Sequence, residues 1–324
     1  YDGFSFKIFK STPGDSTSIS SDLVSAMAQS KSGNLWIGSP DGDLSELEIP
    51  GERFQRHKFQ SVNASRVNAI YEDESGTLWI GTRGNGLFLL DARGKVIRQF
   101  KGKQLQGNSI ISDIVNAIDG DEGSRIFIGT TKGLNVFDRA RQSFEVFRNS
   151  SYPQSLSNDT VRAILSDKNN MIWIGTNHGL NKFDWRARTF KRYIHETNKH
   201  ESFSDNVVTV VREQDANHIW VGTYRGGLNR FNKSTGAVER FLHRSDKPRS
   251  LASNYVLDIL VDHSSTTWVT SDRGIGRISE RALQFAFYSR EDPSPKFISA
   301  IAEDGQGGVW IGAWGVKRFH PQAV

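Results

Sequence analysis

The chain has 324 residues, of which 36% are hydrophobic, and a formal net charge of +5 at pH 7. It contains no cysteine, which excludes disulfides, thiolate chemistry and cysteine-based zinc sites. The positive charge is dispersed rather than gathered in one stripe, so we expect no nucleic-acid partner. No apolar run is long enough to cross a membrane as a helix, so we also expect no direct membrane insertion by this segment.

One short motif recurs seven times, with 42 to 48 residues between successive copies. It consists of an aromatic residue, an aliphatic residue and, in six copies, a glycine. The copies are Trp36-Ile37-Gly38, Trp79-Ile80-Gly81, Phe127-Ile128-Gly129, Trp173-Ile174-Gly175, Trp220-Val221-Gly222, Trp268-Val269-Thr270 and Trp310-Ile311-Gly312. A fixed period of this length is typical of repeat architectures, in which each unit packs on the next.

The second repeat predicts four short strands, at 66–71, 77–81, 86–90 and 95–100, joined by turns that contain glycine. Four short strands per repeat of this length predict one blade of a β-propeller. Because the aromatic residue of the motif recurs at a fixed strand position, we expect it in the core of each blade.

The seventh repeat has only three predicted strands, and the missing one is predicted at the N-terminus. Phe6 and Phe9, in a strand at 4–10, have the aromatic spacing that marks the fourth strand of other repeats. We therefore expect this strand to pair with the blade at 297–320, which would close the ring and remove an exposed sheet edge.

These features predict one all-β domain over residues 1–324. The predicted fold is a seven-bladed β-propeller with four-stranded antiparallel blades, closed by the N-terminal strand that completes the last blade. Because the sequence begins with Tyr1 inside this unit, we expect it to be a segment of a longer or processed protein.

A longer connection precedes most of the first strands and follows a serine-rich pattern, as in Ser155-Leu156-Ser157-Asn158. The polar members of this pattern are expected to hydrogen-bond the nearby backbone and to fix the turn into the strand. The apolar member is expected to fill the space between two blades.

The combination of this loop with V-x-A-I, D-x-x-G, L-W-I-G-T, G-L-x-x-F-D and a final F-x-x-F resembles the two component regulator propeller repeat. The resemblance covers the whole chain, with departures at Phe127, at Thr270 and in the short turn at 312–315. It implies the periplasmic sensor region of a bacterial membrane receptor. The histidine kinase or diguanylate cyclase output of such a receptor is not present in this chain, and a homodimer of the full receptor is a further expectation.

Motifs of catalytic or cofactor-binding sites do not stand out in the sequence. It lacks a nucleophile elbow, a phosphate-cradling loop and a His-Glu-x-x-His pattern. The histidines are scattered, and His195 and His200 are poorly spaced for a rigid metal site. Acidic turns such as 72–74 fall on separate blades, which favours plain turn chemistry over calcium binding. We therefore expect no catalytic residue, cofactor or metal in this domain.

The turns between the second and third strands are where the seven copies differ most. In a propeller, these turns and the loops that enter the first strands lie on one face around the central channel, so variation there indicates specificity. The candidate ligand-binding residues are Arg83, Asn85, Lys132, Asn177, His178, Tyr224, Arg225, Asp272, Arg273 and Trp314.

Cationic and aromatic side chains are frequent among these candidates. Arginine and lysine beside stacking rings suit a small polar or anionic ligand, and a saccharide is one such class. The alternative is that hairpin turns are polar wherever they occur, but a polar turn does not need Tyr224 or Trp314. Trp314 is the most specific candidate, because its turn is also the shortened one.

Together these arguments predict a ligand-sensing periplasmic domain of a transmembrane signalling receptor, without enzyme activity of its own. Ligand binding would bias the packing or the dimer arrangement of the receptor. The alternative is a protein–protein interaction scaffold without a small-molecule ligand. A propeller lyase or hydrolase would need acids or bases that converge at the channel, where the candidates are mostly cationic.

Overall fold

The computed structural model describes residues 4–59, 64–102, 109–121, 123, 125–279, 284–288 and 297–321. In these ranges the regular secondary structure consists of 28 β-strands. Within the same ranges, no helix is long and apolar enough to cross a membrane.

The strands form seven four-stranded sheets, which are the blades of a closed ring and are numbered here in chain order. Blades 1 to 3 consist of β2 (Ala26–Gln29), β3 (Leu35–Gly38), β4 (Leu44–Glu48), β5 (Arg53–His57), β6 (Val67–Glu72), β7 (Leu78–Thr82), β8 (Leu87–Leu90), β9 (Val96–Phe100), β10 (Val115–Gly120), β11 (Arg125–Thr130), β12 (Gly133–Asp138) and β13 (Ser143–Phe147). Blades 4 to 6 consist of β14 (Val161–Ser166), β15 (Ile172–Thr176), β16 (Gly179–Asp184), β17 (Thr189–Tyr193), β18 (Val208–Glu213), β19 (His218–Thr223), β20 (Leu228–Asn232), β21 (Val238–Phe241), β22 (Val256–Val261), β23 (Thr267–Ser271), β24 (Gly274–Ser279) and β25 (Gln284–Tyr288). Blade 7 consists of β26 (Ala300–Glu303), β27 (Val309–Ala313), β28 (Gly315–Pro321) and β1 (Phe4–Phe9).

The predicted seven-bladed architecture is therefore confirmed. In the second repeat, each of the four observed strands begins one residue later than its predicted start. This small difference is expected, because the ends of a strand are set by individual hydrogen bonds rather than by the hydrophobic pattern.

The N-terminal strand closes the ring, as predicted. β1 pairs antiparallel with β28, with Phe9 opposite Val316. The Phe9 ring lies 5.5 Å from the ring of Trp310 in the same blade and 5.8 Å from that of Phe54 in blade 1. The two ends of the chain thus share one sheet, and their aromatic side chains pack against the neighbouring blade.

The first strand of each blade lies innermost, beside the first strands of its neighbours. In five blades the second residue of this strand, or the residue just before the strand, donates a side-chain hydrogen bond to a backbone carbonyl of the next blade. These bonds run from Ser25 Oγ to Val67 O (2.6 Å), Asn68 Nδ2 to Val115 O (3.0 Å), Asn116 Nδ2 to Val161 O (2.8 Å), Thr209 Oγ1 to Val256 O (2.7 Å) and Ser299 Oγ to Val24 O (2.6 Å). The last of them crosses from blade 7 to blade 1 and strengthens the closure.

The glycine of the repeated motif is required by close packing between blades. A Cβ atom on Gly81 would lie 2.6 Å from Cγ1 of Val115 in the next blade, which is too close for any side chain. In blade 6 the motif has Thr270 at this place. Its buried hydroxyl accepts a hydrogen bond from the N–H of Asp258 (2.9 Å), which explains this departure from the repeat.

The repeated tryptophan is buried, and in four blades its indole N–H donates to an aspartate in the preceding turn. The pairs are Trp79 with Asp73 (2.9 Å), Trp173 with Asp167 (3.0 Å), Trp268 with Asp262 (2.8 Å) and Trp310 with Asp304 (2.6 Å). The same carboxylates accept N–H groups of their own turns, as Asp73 does from Ser75 and Thr77. The acidic turns of the sequence are thus part of the blade's framework.

The serine-rich loops behave as predicted. Ser155 Oγ accepts the N–H of Ser150 (3.0 Å), and Leu156 is completely buried between blades. Arg192, on the outer strand β17, donates to the carbonyl of Ser155 (2.8 Å) and so fastens the loop from outside. This arginine contact was not predicted from the sequence.

Candidate functional site

The turns between second and third strands meet the loops that enter the next blade on one face of the ring. The N–H of Gly86, in such a turn of blade 2, donates to the carbonyl of Asp113 (2.9 Å), in the loop that enters blade 3. The N–H of Gly315 donates in the same way to Asp22 (2.6 Å) across the seam. We call this the upper face, and the face that carries the other two sets of turns the lower face. The ten candidate residues belong to turns of the upper face.

A central channel opens on the axis and encloses a cavity of about 200 Å³. All seven first strands contribute to its wall. In five blades the third residue of the repeated V-x-A-I pattern is an alanine in this wall, namely Ala26, Ala69, Ala117, Ala163 and Ala300. Blades 5 and 6 have Val210 and Asp258 instead, so one side of the channel is chemically distinct.

Asp258 forms an ion pair with Arg212 beside the channel, with 3.0 Å between Oδ1 and Nη2. The carboxylate also accepts the N–H groups of Ile259 (2.9 Å) and of Ile301 in blade 7 (3.2 Å). Burial raises the pKa of Asp258, while the charge of Arg212 and these hydrogen bonds act in the opposite direction. The pair therefore ties blades 5, 6 and 7 together near the axis.

Asp119 is a second acid of the innermost strands. Its carboxylate accepts the N–H of Ser166 in blade 4 (2.8 Å) and the N–H of Gly120 (2.9 Å). Burial raises the pKa of Asp119 to about 6, although both hydrogen bonds and the charge of Arg212 oppose this shift. Sequence reasoning missed Asp119, Arg212 and Asp258, and the available signal was a charged residue inside a first strand.

Two tyrosines meet on the upper face between blades 5 and 6. The rings of Tyr224 and Tyr255 lie edge to face with their centroids 4.7 Å apart. The guanidinium carbon of Arg225 lies 5.3 Å from the centre of the Tyr224 ring, and the backbone N–H of Arg225 donates to Asp205 (2.9 Å). Tyr224 remains 39% exposed, so this pair presents an aromatic surface beside a cation.

Arg162 joins this group from blade 4. In other blades the side chain at this position donates to a backbone carbonyl of the next blade. The Nε of Arg162 donates instead to Oδ1 of Asn177 in the adjacent turn. Burial raises the pKa of Tyr255, the neighbouring Tyr224 adds to this, and the charges of Arg162 and Asp272 act with opposite signs.

We call this set the Tyr255 cluster, which consists of Arg162, Asn177, Tyr224, Arg225, Tyr255 and Asp272. Four of its six members were sequence candidates. Arg162 and Tyr255 were missed, because they belong to the first strand and to the residue before it rather than to a turn. The sequence offered one indication of these two residues, namely a cation and an aromatic ring at the start of an inner strand.

A second cationic patch lies on blade 2. The N–H of Arg83 donates to the carbonyl of Arg66 (2.9 Å), so the two arginines are neighbours. Burial lowers the pKa of the partly buried Arg66, and the charge of Arg83 lowers it further. Arg66 was not among the sequence candidates.

Trp314 lies at the seam, where its backbone forms a β-bridge with Leu23 of blade 1. Both side chains are exposed, Trp314 by 53% and Leu23 by 39%. Lys132, His178 and Arg273 are also exposed on the upper face, and Asn85 is partly buried with its N–H donated to Thr82 Oγ1. The described contacts thus place six of the ten candidates in three separate patches: the Tyr255 cluster, the arginine pair of blade 2 and the apolar seam.

Comparisons with known proteins agree with this architecture. A family model described as "Two component regulator propeller" matches residues 18–41, 61–84, 155–178 and 292–315. No curated protein sequence matches the chain.

Three solved structures illustrate the likeness of fold. The extracellular domain of BT3049 from B. thetaiotaomicron, described as a hybrid two component system, has a TM-score of 0.77 and 20% identity over 97% of this chain and 42% of its own. That of BT4673 from the same organism, described as a one component system, has a TM-score of 0.75 and 18% identity over 100% of this chain and 40% of its own. Virginiamycin B lyase from Staphylococcus aureus has a TM-score of 0.74 and 13% identity over 98% of this chain and 100% of its own. The chain therefore spans less than half of the two extracellular domains, and at these identities the likeness concerns the fold.

Proposed function

The chain carries repeats of the two component regulator propeller family, and from this premise we propose that it is the ligand-sensing domain of a bacterial transmembrane signalling receptor. Its place is the periplasmic side of the membrane. The output module, a histidine kinase or a diguanylate cyclase, belongs to parts of the receptor outside this chain. The likeness in fold to extracellular domains of two component systems supports this proposal.

The observation that carries the proposal is the Tyr255 cluster at the upper end of the channel. It contains two arginines and one aspartate, and the Asp205 carboxylate, which accepts the backbone N–H of Arg225 (2.9 Å), lies beside them, so the guanidinium groups rather than a net charge would bind an anion. The edge-to-face tyrosines, of which Tyr224 is exposed and Tyr255 partly buried, supply a rigid surface that loses little conformational entropy on binding. Arg162 is held by a neutral amide rather than by a carboxylate, so its charge is not cancelled by its hydrogen-bond partner.

This chemistry favours a small ligand that has an anionic group beside a ring, such as an acidic saccharide. A carboxylate would accept charge-assisted hydrogen bonds from Arg162 or Arg225, which are stronger than neutral ones. The ring would lie against Tyr224. Because the cluster spans blades 4 to 6, such a ligand would favour one packing of these blades and so bias the receptor between two states.

The proposal is tested by calorimetry with a panel of acidic and neutral saccharides and small carboxylates. We expect an acidic member to bind, and Arg225→Ala and Tyr224→Ala to weaken its binding by tenfold or more. The matched control is Lys132→Ala, which removes an exposed cation from the same face of another blade and should leave affinity unchanged. If no panel member binds, or if both cluster variants bind like the unaltered chain, the proposal is wrong.

Further measurements distinguish two other functions, a protein–protein scaffold and a lyase, from ligand sensing. Exposed Trp314 and Leu23 favour a protein–protein scaffold, because exposed apolar side chains that lie together are common at interfaces. A scaffold would show no small-molecule binding, and its partner binding would depend on Trp314. A lyase function is suggested only by shared fold with virginiamycin B lyase, and we expect no turnover of virginiamycin B.

A further inference from the structure

We propose a second ligand site on the lower face, in the cavity between blades 3 and 4, which takes an uncharged polyhydroxylated ligand such as a neutral saccharide. It is separate from the Tyr255 cluster and does not rest on the function proposed for that cluster. The site follows from a local change in the way neighbouring blades are joined.

At two other junctions, a cation from the turn after the third strand crosses to the turn aspartate of the preceding blade. In blade 3, Arg139 lies with Nη2 3.6 Å from Oδ2 of Asp73 and donates to Ser75 Oγ (3.0 Å). In blade 5, the Nζ of Lys233 lies 3.2 Å from Oδ2 of Asp167. Each long side chain occupies the space between two blades and neutralises a buried carboxylate.

Between blades 3 and 4 this arrangement is replaced. The position of the crossing cation is taken by Trp185, which carries no charge. The turn aspartate of blade 3, Asp121, is instead paired within its own blade with Arg125, at 2.5 Å between Oδ2 and Nε. Blade 3 also has Phe127 in place of the tryptophan that donates to this aspartate in other blades.

The result is a cavity of about 660 Å³ on the lower face. This volume lies within the range of small-molecule sites, roughly 300 to 1,000 Å³. Trp185 and Met171 form apolar parts of its wall, and Asn169, Asn170 and Arg186 are exposed polar residues around it. Apolar walls with a few polar groups are the usual composition of such sites.

Trp185 is a fixed wall with an available donor. The guanidinium carbons of Arg188 and Arg125 lie 3.8 and 4.9 Å from its ring centre, and it packs edge to face on Phe127 and Phe147. Among the residues that the structure describes, no acceptor hydrogen-bonds the indole N–H of Trp185. The blade tryptophans such as Trp173, in contrast, donate to an aspartate.

The charges around the cavity indicate the class of ligand. Among the described residues that line the cavity, two carboxylates, Asp121 and Asp184, are balanced by two guanidinium groups, Arg125 and Arg186. The Arg188 guanidinium beside Trp185 is paired with Glu145. A charged ligand would therefore meet a like charge as well as an opposite one. A hydroxyl group both donates and accepts hydrogen bonds, so a polyol can use the carboxylates, the guanidinium groups, the amides and the free indole N–H together.

The experiment uses calorimetry with neutral disaccharides of glucose, galactose, mannose and xylose, and with a uronic acid disaccharide for comparison. Trp185→Arg introduces the kind of side chain that Arg139 and Lys233 provide at the other junctions, so it should fill the cavity. We expect at least one neutral disaccharide to bind and Trp185→Arg to weaken it at least tenfold. We also expect the uronic acid disaccharide to bind this site at least tenfold more weakly.

Two further variants keep the test decisive. Arg186→Ala removes an exposed side chain from the rim and should weaken the same ligand at least tenfold even if Trp185→Arg does not fold. Tyr224→Ala, on the upper face, should leave this binding unchanged. The inference is overturned if no neutral disaccharide binds at millimolar concentration, or if Arg186→Ala and a folded Trp185→Arg both bind normally. If Tyr224→Ala loses the binding and the two lower-face variants keep it, the disaccharide binds at the upper face. The inference of a lower-face site is then wrong, and the proposal for the upper face is unaffected.

Discussion

Arg212 of blade 5 and Asp258 of blade 6 form an ion pair beside the central channel, with their charged atoms 3.0 Å apart. The equivalent positions in blade 4 hold Leu165 and Ala163, which are apolar. The pair thus puts opposite charges at two positions that are apolar in blade 4.

We expect Asp258→Ala to lower the free energy of unfolding by about 1–3 kcal/mol. The substitution restores the alanine of the other blades, but it leaves Arg212 unpaired and deprives the N–H groups of Ile259 and Ile301 of their acceptor. Guanidinium chloride unfolding, followed by tryptophan fluorescence, measures the change. The control is Arg212→Leu combined with Asp258→Ala, which mimics blade 4. It should recover part of the loss, and a double variant that is less stable than Asp258→Ala would contradict the argument.

Asp119 predicts a pH dependence of stability. Its pKa is about 6 in the folded protein, against an ordinary value of 3.8. Between these values the folded protein holds a proton that the unfolded chain has released, so the contribution of Asp119 to stability falls as the pH rises from about 4 to about 6. The full shift corresponds to at most about 3 kcal/mol.

The measurement compares the unfolding free energies of the unaltered protein and Asp119→Asn at several pH values. The stability of the unaltered protein relative to the variant should fall across this pH window. Carboxylates with lowered pKa, such as Asp73 and Asp167, contribute a slope of the opposite sign, but they do so equally in both proteins. A stability difference that does not change with pH would show that Asp119 does not titrate as described.

The indole–aspartate contact predicts unequal effects of the same substitution in two blades. Trp310 donates to Asp304 at 2.6 Å, whereas Trp36 packs on His57 with 4.9 Å between ring centroids, and no acceptor among the described residues bonds its indole. Trp310→Phe should therefore be more destabilising than Trp36→Phe by about 1.5–3 kcal/mol, the range for a hydrogen bond to a charged group. Thermal and denaturant unfolding of both variants measure the difference. Equal losses of unfolding free energy in the two variants would mean that the hydrogen bond contributes no stability beyond the packing of the ring.

The closure of the ring can be tested with an engineered disulfide, because the chain has no cysteine that could form a wrong pair. Ile8 of β1 lies opposite Lys317 of β28. The double variant Ile8→Cys/Lys317→Cys should form this disulfide on oxidation. Closing a loop of nearly the whole chain should raise the unfolding free energy by several kcal/mol, roughly 4 kcal/mol or more by chain entropy.

Each single cysteine variant serves as the control for this experiment. The oxidised double variant should migrate as a compact monomer on a non-reducing gel and should lose its added stability when it is reduced. Failure of the two cysteines to join within one monomer would contradict the observed pairing.

The sequence alone determined the architecture of this protein. The period of the Trp-Ile-Gly motif predicted the number of blades, and the spacing of Phe6 and Phe9 predicted the closing strand. Such patterns are readable because every blade must bury the same residues at the same strand positions. The sequence also predicted the burial of Leu156 and the role of the serine-rich loops, for the same reason.

Only the tertiary structure decided which variable residues meet. Tyr224 and Tyr255 are 31 positions apart, and Arg162, whose charge acts on Tyr255, belongs to another blade, so no local pattern links the three. The same holds for Arg212 with Asp258, and for Trp185 with Arg125. These contacts arise where neighbouring blades touch, and the ring geometry, rather than the order of residues within a repeat, sets which side chains face each other there.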